Sequence, residues 1–254
     1  RLTGRFTIPV ELSDSDVETV TRRVVLAKKA DKRKSVEDTL VAHAGEVDRQ
    51  LAGTRIAACA EDRDIVVDDY PLLPVRRRFW EHVLRAVDVP GTASQLRTHL
   101  KIGHESVRTT AECDIGTVVS ADFIFGQLHP DLLRGGVLLR ENDETIRNLD
   151  DGTDDGQLAK RLCGLIFLIR KLPREAVADI GVRATPEMLA DLLVADLAND
   201  GTQLRKDIPR ILGKLVDDGT LIKLDEEYSL QTRESSEWDR EFRNRQTRLN
   251  GDLP

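Results

Sequence analysis

Between residues 157 and 232 the chain uses one device three times and then abandons it. Leu158, Leu162, Leu165, Ile166 and Ile169 recur at helical spacing, which predicts a helix buried over most of its surface. Thr185 followed by Pro186 starts a second helix holding Met188, Leu189, Leu192 and Leu193, since proline at a first helical position wastes no amide hydrogen. After a turn over 199–202, a third is predicted for about 207–217, with Ile208, Ile211, Leu212, Leu215 and Val216 inward and Gly219 as its stop. The phrase "TLIKLDEEYSLQT" then reads as two short strands about a tight turn at 225–227. Three helices followed by a hairpin is the winged helix-turn-helix order, and the helix before the hairpin is the one that enters a DNA major groove.

That third helix carries the candidate DNA-binding residues. Lys206, Arg210 and Lys214 lie four residues apart on the side away from its apolar face, with Arg205 beside them and Lys223 on the wing. Residues 201–224 hold five basic against three acidic side chains, in a chain of net charge −7. Lysine and arginine release counterions from phosphates, and arginine pairs bidentately with guanine, so the predicted partner is double-stranded DNA. The competing reading is a winged helix that docks protein, favoured by the acidic wing tip Asp225, Glu226 and Glu227, which would repel phosphates lying against it.

The rest of the chain is mainly helical by the same signals. "RFTIPVEL" alternates as a strand, with no partner strand nearby, and Ser13 with Asp16 opens a helix over 13–29. Ser35 with Asp38 opens a second, carrying Val36, Leu40, Ala44, Val47 and Leu51 and ending near Gly53. The basic run "KKADKRK" between them reads as a solvated helix end. Residues 62–69 read as an irregular acidic stretch. Pro74 starts a third helix with Phe79, Trp80, Val83, Leu84 and Val87, and a fourth spans about 93–110. Leu96, Leu100, Gly103 and Val107 face inward on that fourth helix, opposite a basic stripe of Arg97, Lys101, His104 and Arg108. Ser120 caps a short helix through Leu128, another runs from about 136 to 149, and the domain boundary is placed near 112–135.

Composition narrows the function classes. No stretch approaches the ~18 uninterrupted apolar residues of a membrane span. The three cysteines, Cys59, Cys113 and Cys163, form no CxxC pair and no even disulfide set, which favours the reducing cytoplasm. There is no G-x-x-x-x-G-K-[ST] loop, no H-E-x-x-H and no G-x-S-x-G, so no catalytic residue, metal or cofactor is expected within this chain. A start at Arg1, with Met188 the sole methionine, reads as a piece of a longer protein.

A family resemblance then follows from particular phrases. "GRFTIPVEL", "SDSD" and "GTASQLRTHLK" look like the end of an AAA+ ATPase core and its helical lid. The helix containing Arg97 is similar to the lid helix that carries the sensor-2 arginine of origin-recognition-type initiators. More closely, "YPLLPVRRRFWEHVLRAVDVPGTASQLR", "GTVVSADFIFGQL" and "YSLQTRESSEWDREFRNR" resemble the large P-loop ATPase of the BREX and Pgl phage-resistance systems, the BrxC/PglY family. The likeness covers nearly the whole chain but only a segment of that longer protein. It implies a residual core strand at 1–12, a lid at 13–115, a winged-helix domain at 116–232, and the start of a C-terminal helix or coiled coil at 233–254. It further implies ATP and Mg bound by an upstream core, Arg97 as a nucleotide-binding sensor, companion phage-defence proteins as partners, and oligomerisation through the parent ATPase.

Overall fold

A computed structural model of the protein describes residues 19–87 and 95–231, the side chains of 95–99 excepted. The expected strand at 1–12, the capping pair Ser13/Asp16 and the C-terminal helix over 233–254 lie outside the described residues. What is described is mainly helical with one two-stranded antiparallel sheet. The helices are α1 (Thr21–Val25, wound as a π-helix), α2 (Arg33–Ala42), α3 (Ala44–Asp48), α4 (Asp62–Asp69), α5 (Pro74–Ala86), α6 (Gln95–Thr110), α7 (Phe123–Arg134), α8 (Arg140–Asn148), α9 (Asp154–Lys171), α10 (Pro186–Leu193) and α11 (Asp200–Asp217). Strands β1 (Leu221–Leu224) and β2 (Glu227–Leu230) close the described chain.

The apolar run inside α9 makes it the centre of the molecule. Leu162, Cys163, Leu165, Ile166, Leu168 and Ile169 are wholly excluded from solvent, and α5, α7, α8, α10, α11 and β2 all pack against this helix. Each of its buried leucines and isoleucines contributes about 1.5–3 kcal/mol of hydrophobic stabilisation. Its start is fixed by Thr153, whose side chain accepts the Gly156 amide hydrogen at 3.0 Å, and α10 is capped likewise by Thr185 from Met188. Burial leaves the Cys163 thiol pushed up to about 12, which makes it inert.

Residues 116–121, inside the expected boundary region, run as an extended seam. Val118 N donates to Ala195 O, Val119 N to Pro71 O, Ala121 N to Leu192 O, and Leu197 N to Gly116 O. The Trp80 indole nitrogen donates to Ala121 O at 2.8 Å from the other side. One buried cluster therefore continues from Leu51 and Phe79 through Val119 and Ile124 to Leu212 and Tyr228.

The hairpin pairs Leu221 with Leu230 and Leu224 with Glu227. Asp225 takes a positive φ of 54° in the connecting turn, a conformation that aspartate tolerates better than most residues. Tyr228 N donates to Ala184 O, which fastens β2 to the segment before α10.

Several elements differ from the sequence reading. Residues 62–69 form α4 instead of an irregular stretch, because Asp62 folds back on Arg78 and the Cys59 amide and so starts the helix. The predicted helix over 35–53 is broken at His43 into α2 and α3. Its first turn begins at Arg33, and Ser35 makes no cap. Helix α11 begins at Asp200, not near 207, since the Asp200 carboxylate accepts the amide hydrogens of Ala195 and Asp196 and ties down the preceding turn. Helix α7 runs on to Arg134 with Pro130 inside it, and Ser120 does not cap it. The helix expected over 136–149 is the shorter α8.

Candidate functional site

The basic residues of α11 do not form one free row. Arg210 sets both terminal nitrogens on Asp155, at 2.6 and 2.7 Å, and Lys214 reaches the same carboxylate at 3.0 Å. These two cations hold the Asp155 carboxyl well below the usual carboxylate range. The three side chains are 43, 59 and 44% exposed for Arg210, Lys214 and Asp155, so water screens each pair and the cluster yields readily to a stronger anion. Arg205 is placed quite differently. It turns inward between Glu46 of α3 and Asp191 of α10, and its Nε is buried without a hydrogen-bond partner among the described residues. Lys206 is exposed and makes no ion pair among the described residues.

Periodicity places Arg205 beside the row, but it cannot show that a carboxylate from a distant helix occupies that flank. The solvent face that remains on α11 consists of Thr202, Gln203, Lys206, Pro209, Gly213 and Asp217 beside the paired cations.

The wing is less acidic than its sequence suggests. Glu227 accepts from Arg174 at 3.1 and 2.8 Å and lies 3.3 Å from Arg183 and 3.8 Å from Arg170. Lys223 reaches Glu226 at 3.1 Å and lies 5.8 Å from the Tyr228 ring centre. Asp225 alone of the wing-tip acids makes no side-chain interaction of this kind among the described residues.

Arg97 lies on the first turn of α6, and its side chain is outside the described residues. Farther along that helix, Glu105 interrupts the expected basic stripe by pairing with Arg108 at 2.9 Å. The phosphate-cradling loop is missing from the sequence, and no group of three potential metal ligands occurs among the described residues.

A second electropositive site emerges where the basic run "KKADKRK" reads as a solvated helix end. Thr19, Arg22, Arg23, Leu26, Ala27, Lys28, Arg33 and Asp68 line a cavity of about 440 Å3. Lys28 is half-buried there and donates to Asp68 O at 2.6 Å. Burial lowers its pKa to about 8, against the opposing pull of Asp68 and Asp69. Arg22 grips Asp69 through Nε at 2.5 Å and Nη2 at 3.3 Å, while Arg33 pairs with Asp68. The sequence signal is the charge density itself, seven basic residues against one acidic over 22–34. Which of them share a concave wall depends on α4, a helix that sequence reasoning missed.

Sequence reasoning also missed Arg76. It is fully buried in α5 and donates to Gln50 Oε1 at 3.0 Å, Val119 O at 2.6 Å and Asp191 O at 3.2 Å. Burial lowers its pKa to about 10, against the pull of Asp122 and Asp191. Gln50 Nε2, beside it, has no partner among the described residues. No family model matches the chain, and no solved structure matches it.

Proposed function

We propose that residues 154–230 are a winged helix used as a docking module within a multi-subunit assembly. The observation that carries this reading is the internal pairing of the α11 cations. Arg205 is committed to Glu46 and Asp191, and Arg210 and Lys214 converge on Asp155. Between them, Pro209 and Gly213 present no side-chain donor or acceptor to a base edge. Such a face suits close approach by another protein surface better than readout of a groove.

The phrases that resemble those of the phage-resistance ATPases support a wider setting, in which the chain is a non-catalytic piece of a BREX/Pgl-type P-loop ATPase. Residues 13–115 then act as the lid, Arg97 as its nucleotide sensor, and companion defence proteins as the docking partners. ATP and Mg belong to the parent's upstream core, and residence in the cytoplasm follows from that setting. Among the described residues no helix is long and apolar enough to cross a membrane.

The second reading is DNA binding through Lys206, Arg210 and Lys214, and it has one observation of its own. Asp155, the partner of Arg210 and Lys214, is half exposed, and Glu227 on the wing is already neutralised by arginines. Fluorescence anisotropy on a duplex across a salt series separates the two. Docking predicts the same affinity and salt slope for the wild type and the Lys206→Ala/Arg210→Ala/Lys214→Ala variant. Groove binding predicts a slope shallower by about 0.9 for each phosphate no longer neutralised.

A further inference from the structure

We infer that the cavity bounded by Arg22, Arg23, Lys28 and Arg33 seats a nucleic-acid backbone phosphate, and that exposed Lys29, Lys32 and Lys34 meet the phosphates on either side. The inference stands apart from the docking reading, because it concerns a different surface.

Its first support is the imbalance of charge. Among the described residues four cations line the cavity, with Asp68 as the one lining carboxylate and Asp69 behind it. Among the described residues these two carboxylates stand against four cations, and they hold Arg22 and Arg33 in place. Arg33 directs one nitrogen to Asp68, and Lys28 directs one of its three donors to the Asp68 carbonyl, which leaves donors on both for a ligand oxygen. Arg23 is exposed and makes no ion pair among the described residues.

The second support is the position of Lys28. Burial disfavours the Lys28 ammonium, Asp68 and Asp69 offset this only in part, and an incoming anion in the cavity would stabilise the charge further. A free phosphate would need only the cavity. The basic residues continue past it, however, with Lys29, Lys32 and Lys34 all exposed on the same short stretch of chain. Exposed positive charge that extends past the cavity on this stretch suits a polyanion with several phosphates better than one small anion.

The test uses the whole chain and a fluorescein-labelled 20-base-pair duplex, read by anisotropy from about 50 to 300 mM salt. Arg23→Glu/Lys29→Glu/Lys32→Glu alters exposed side chains only, and its unfolding midpoint checks the fold. The expected result is at least a tenfold loss of duplex affinity at the lowest salt and a flatter salt slope, while the triple alanine variant of α11 binds as the wild type does. Labelling with an amine-reactive reagent provides a readout that needs no variant, since the duplex should protect Lys28, Lys29, Lys32 and Lys34 but not Lys206. Unchanged affinity in the charge-reversal variant, or unprotected lysines, overturns the inference. Inorganic pyrophosphate binding as tightly as the duplex would assign the cavity to a small anion and overturn it too. So would binding to phosphatidylserine vesicles without binding to the duplex.

Discussion

Arg205 on α11 is clamped against Glu46 on α3, a partner 159 residues away in sequence, and the same guanidinium nitrogen lies 3.4 Å from Asp191. Gly201 makes room for the pair, for a Cβ there would lie 2.7 Å from Arg205 Nη1 and 2.9 Å from a Glu46 oxygen. The clamp joins the helices before the seam at 116–121 to the helix–hairpin unit after it. A double-mutant cycle on Glu46→Gln and Arg205→Gln, followed by urea unfolding, is expected to show a coupling of about 1–3 kcal/mol. Coupling near zero would mean that the pair is no better than a solvent-exposed one.

Removal of the Arg76 side chain is expected to be among the most damaging single changes in the chain. It takes away the one described hydrogen bond to Gln50 Oε1 and leaves a side-chain-sized void beneath α5. Unsatisfied buried acceptors cost about 1–3 kcal/mol apiece. Arg76→Ala should therefore lose about 3 kcal/mol or more, and Arg76→Met, which refills much of the volume, distinctly less. The comparison of denaturation midpoints separates the polar loss from the packing loss.

These two arginines also mark how far the sequence can be read. Apolar spacing locates α5, α9 and α10, and the Thr-Pro start and the glycine stop bound such helices, because those signals are local. The hairpin is legible for the same reason, though Glu227, read as part of the turn, begins β2 opposite Leu224. Helix α4 is not, since Asp62, Asp64, Asp68 and Asp69 make it resemble a loop until Arg78, Arg22 and Arg33 from other elements neutralise three of them. The candidate site shares that fate. Lys206, Arg210 and Lys214 can be set on one helical flank from spacing alone, but Asp155, which meets Arg210 and Lys214, and the wall that buries Lys28 come from elements distant in sequence.

Two glycines with the same local setting should respond with opposite sign to alanine. In the middle of a helix, Gly→Ala ordinarily stabilises by about 0.5–1 kcal/mol through reduced backbone freedom. Gly213 on α11 has open space where a Cβ would go, so Gly213→Ala should raise the unfolding midpoint. At Gly164 on α9 the new carbon would lie 2.8 Å from the Phe125 ring. Phe125 also packs edge-on against Phe167 at 6.1 Å between ring centres, which limits its retreat. Overpacking of this kind costs about 1–3 kcal/mol, and Gly164→Ala should lower the midpoint despite the better helix propensity.

The half-buried Lys28 makes a prediction about pH. Burial brings its pKa from the ordinary 10.5 down to about 8 in the folded chain. Between those values the unfolded chain binds more protons than the folded one, so this residue makes stability increase as pH rises through the window. Below about 8 both forms carry the proton and the full penalty of a desolvated ammonium remains. Lys28→Met keeps most of the side-chain volume and removes the titration. The difference in urea-unfolding free energy, variant minus wild type, should thus be most favourable to the variant near neutral pH and shrink steadily as pH climbs from 8 to 10.5. Subtracting the two curves cancels the other groups that titrate in this range to the extent that Lys28 does not couple to them. A difference that stays flat across the window would show that Lys28 is solvated as an ordinary surface lysine is.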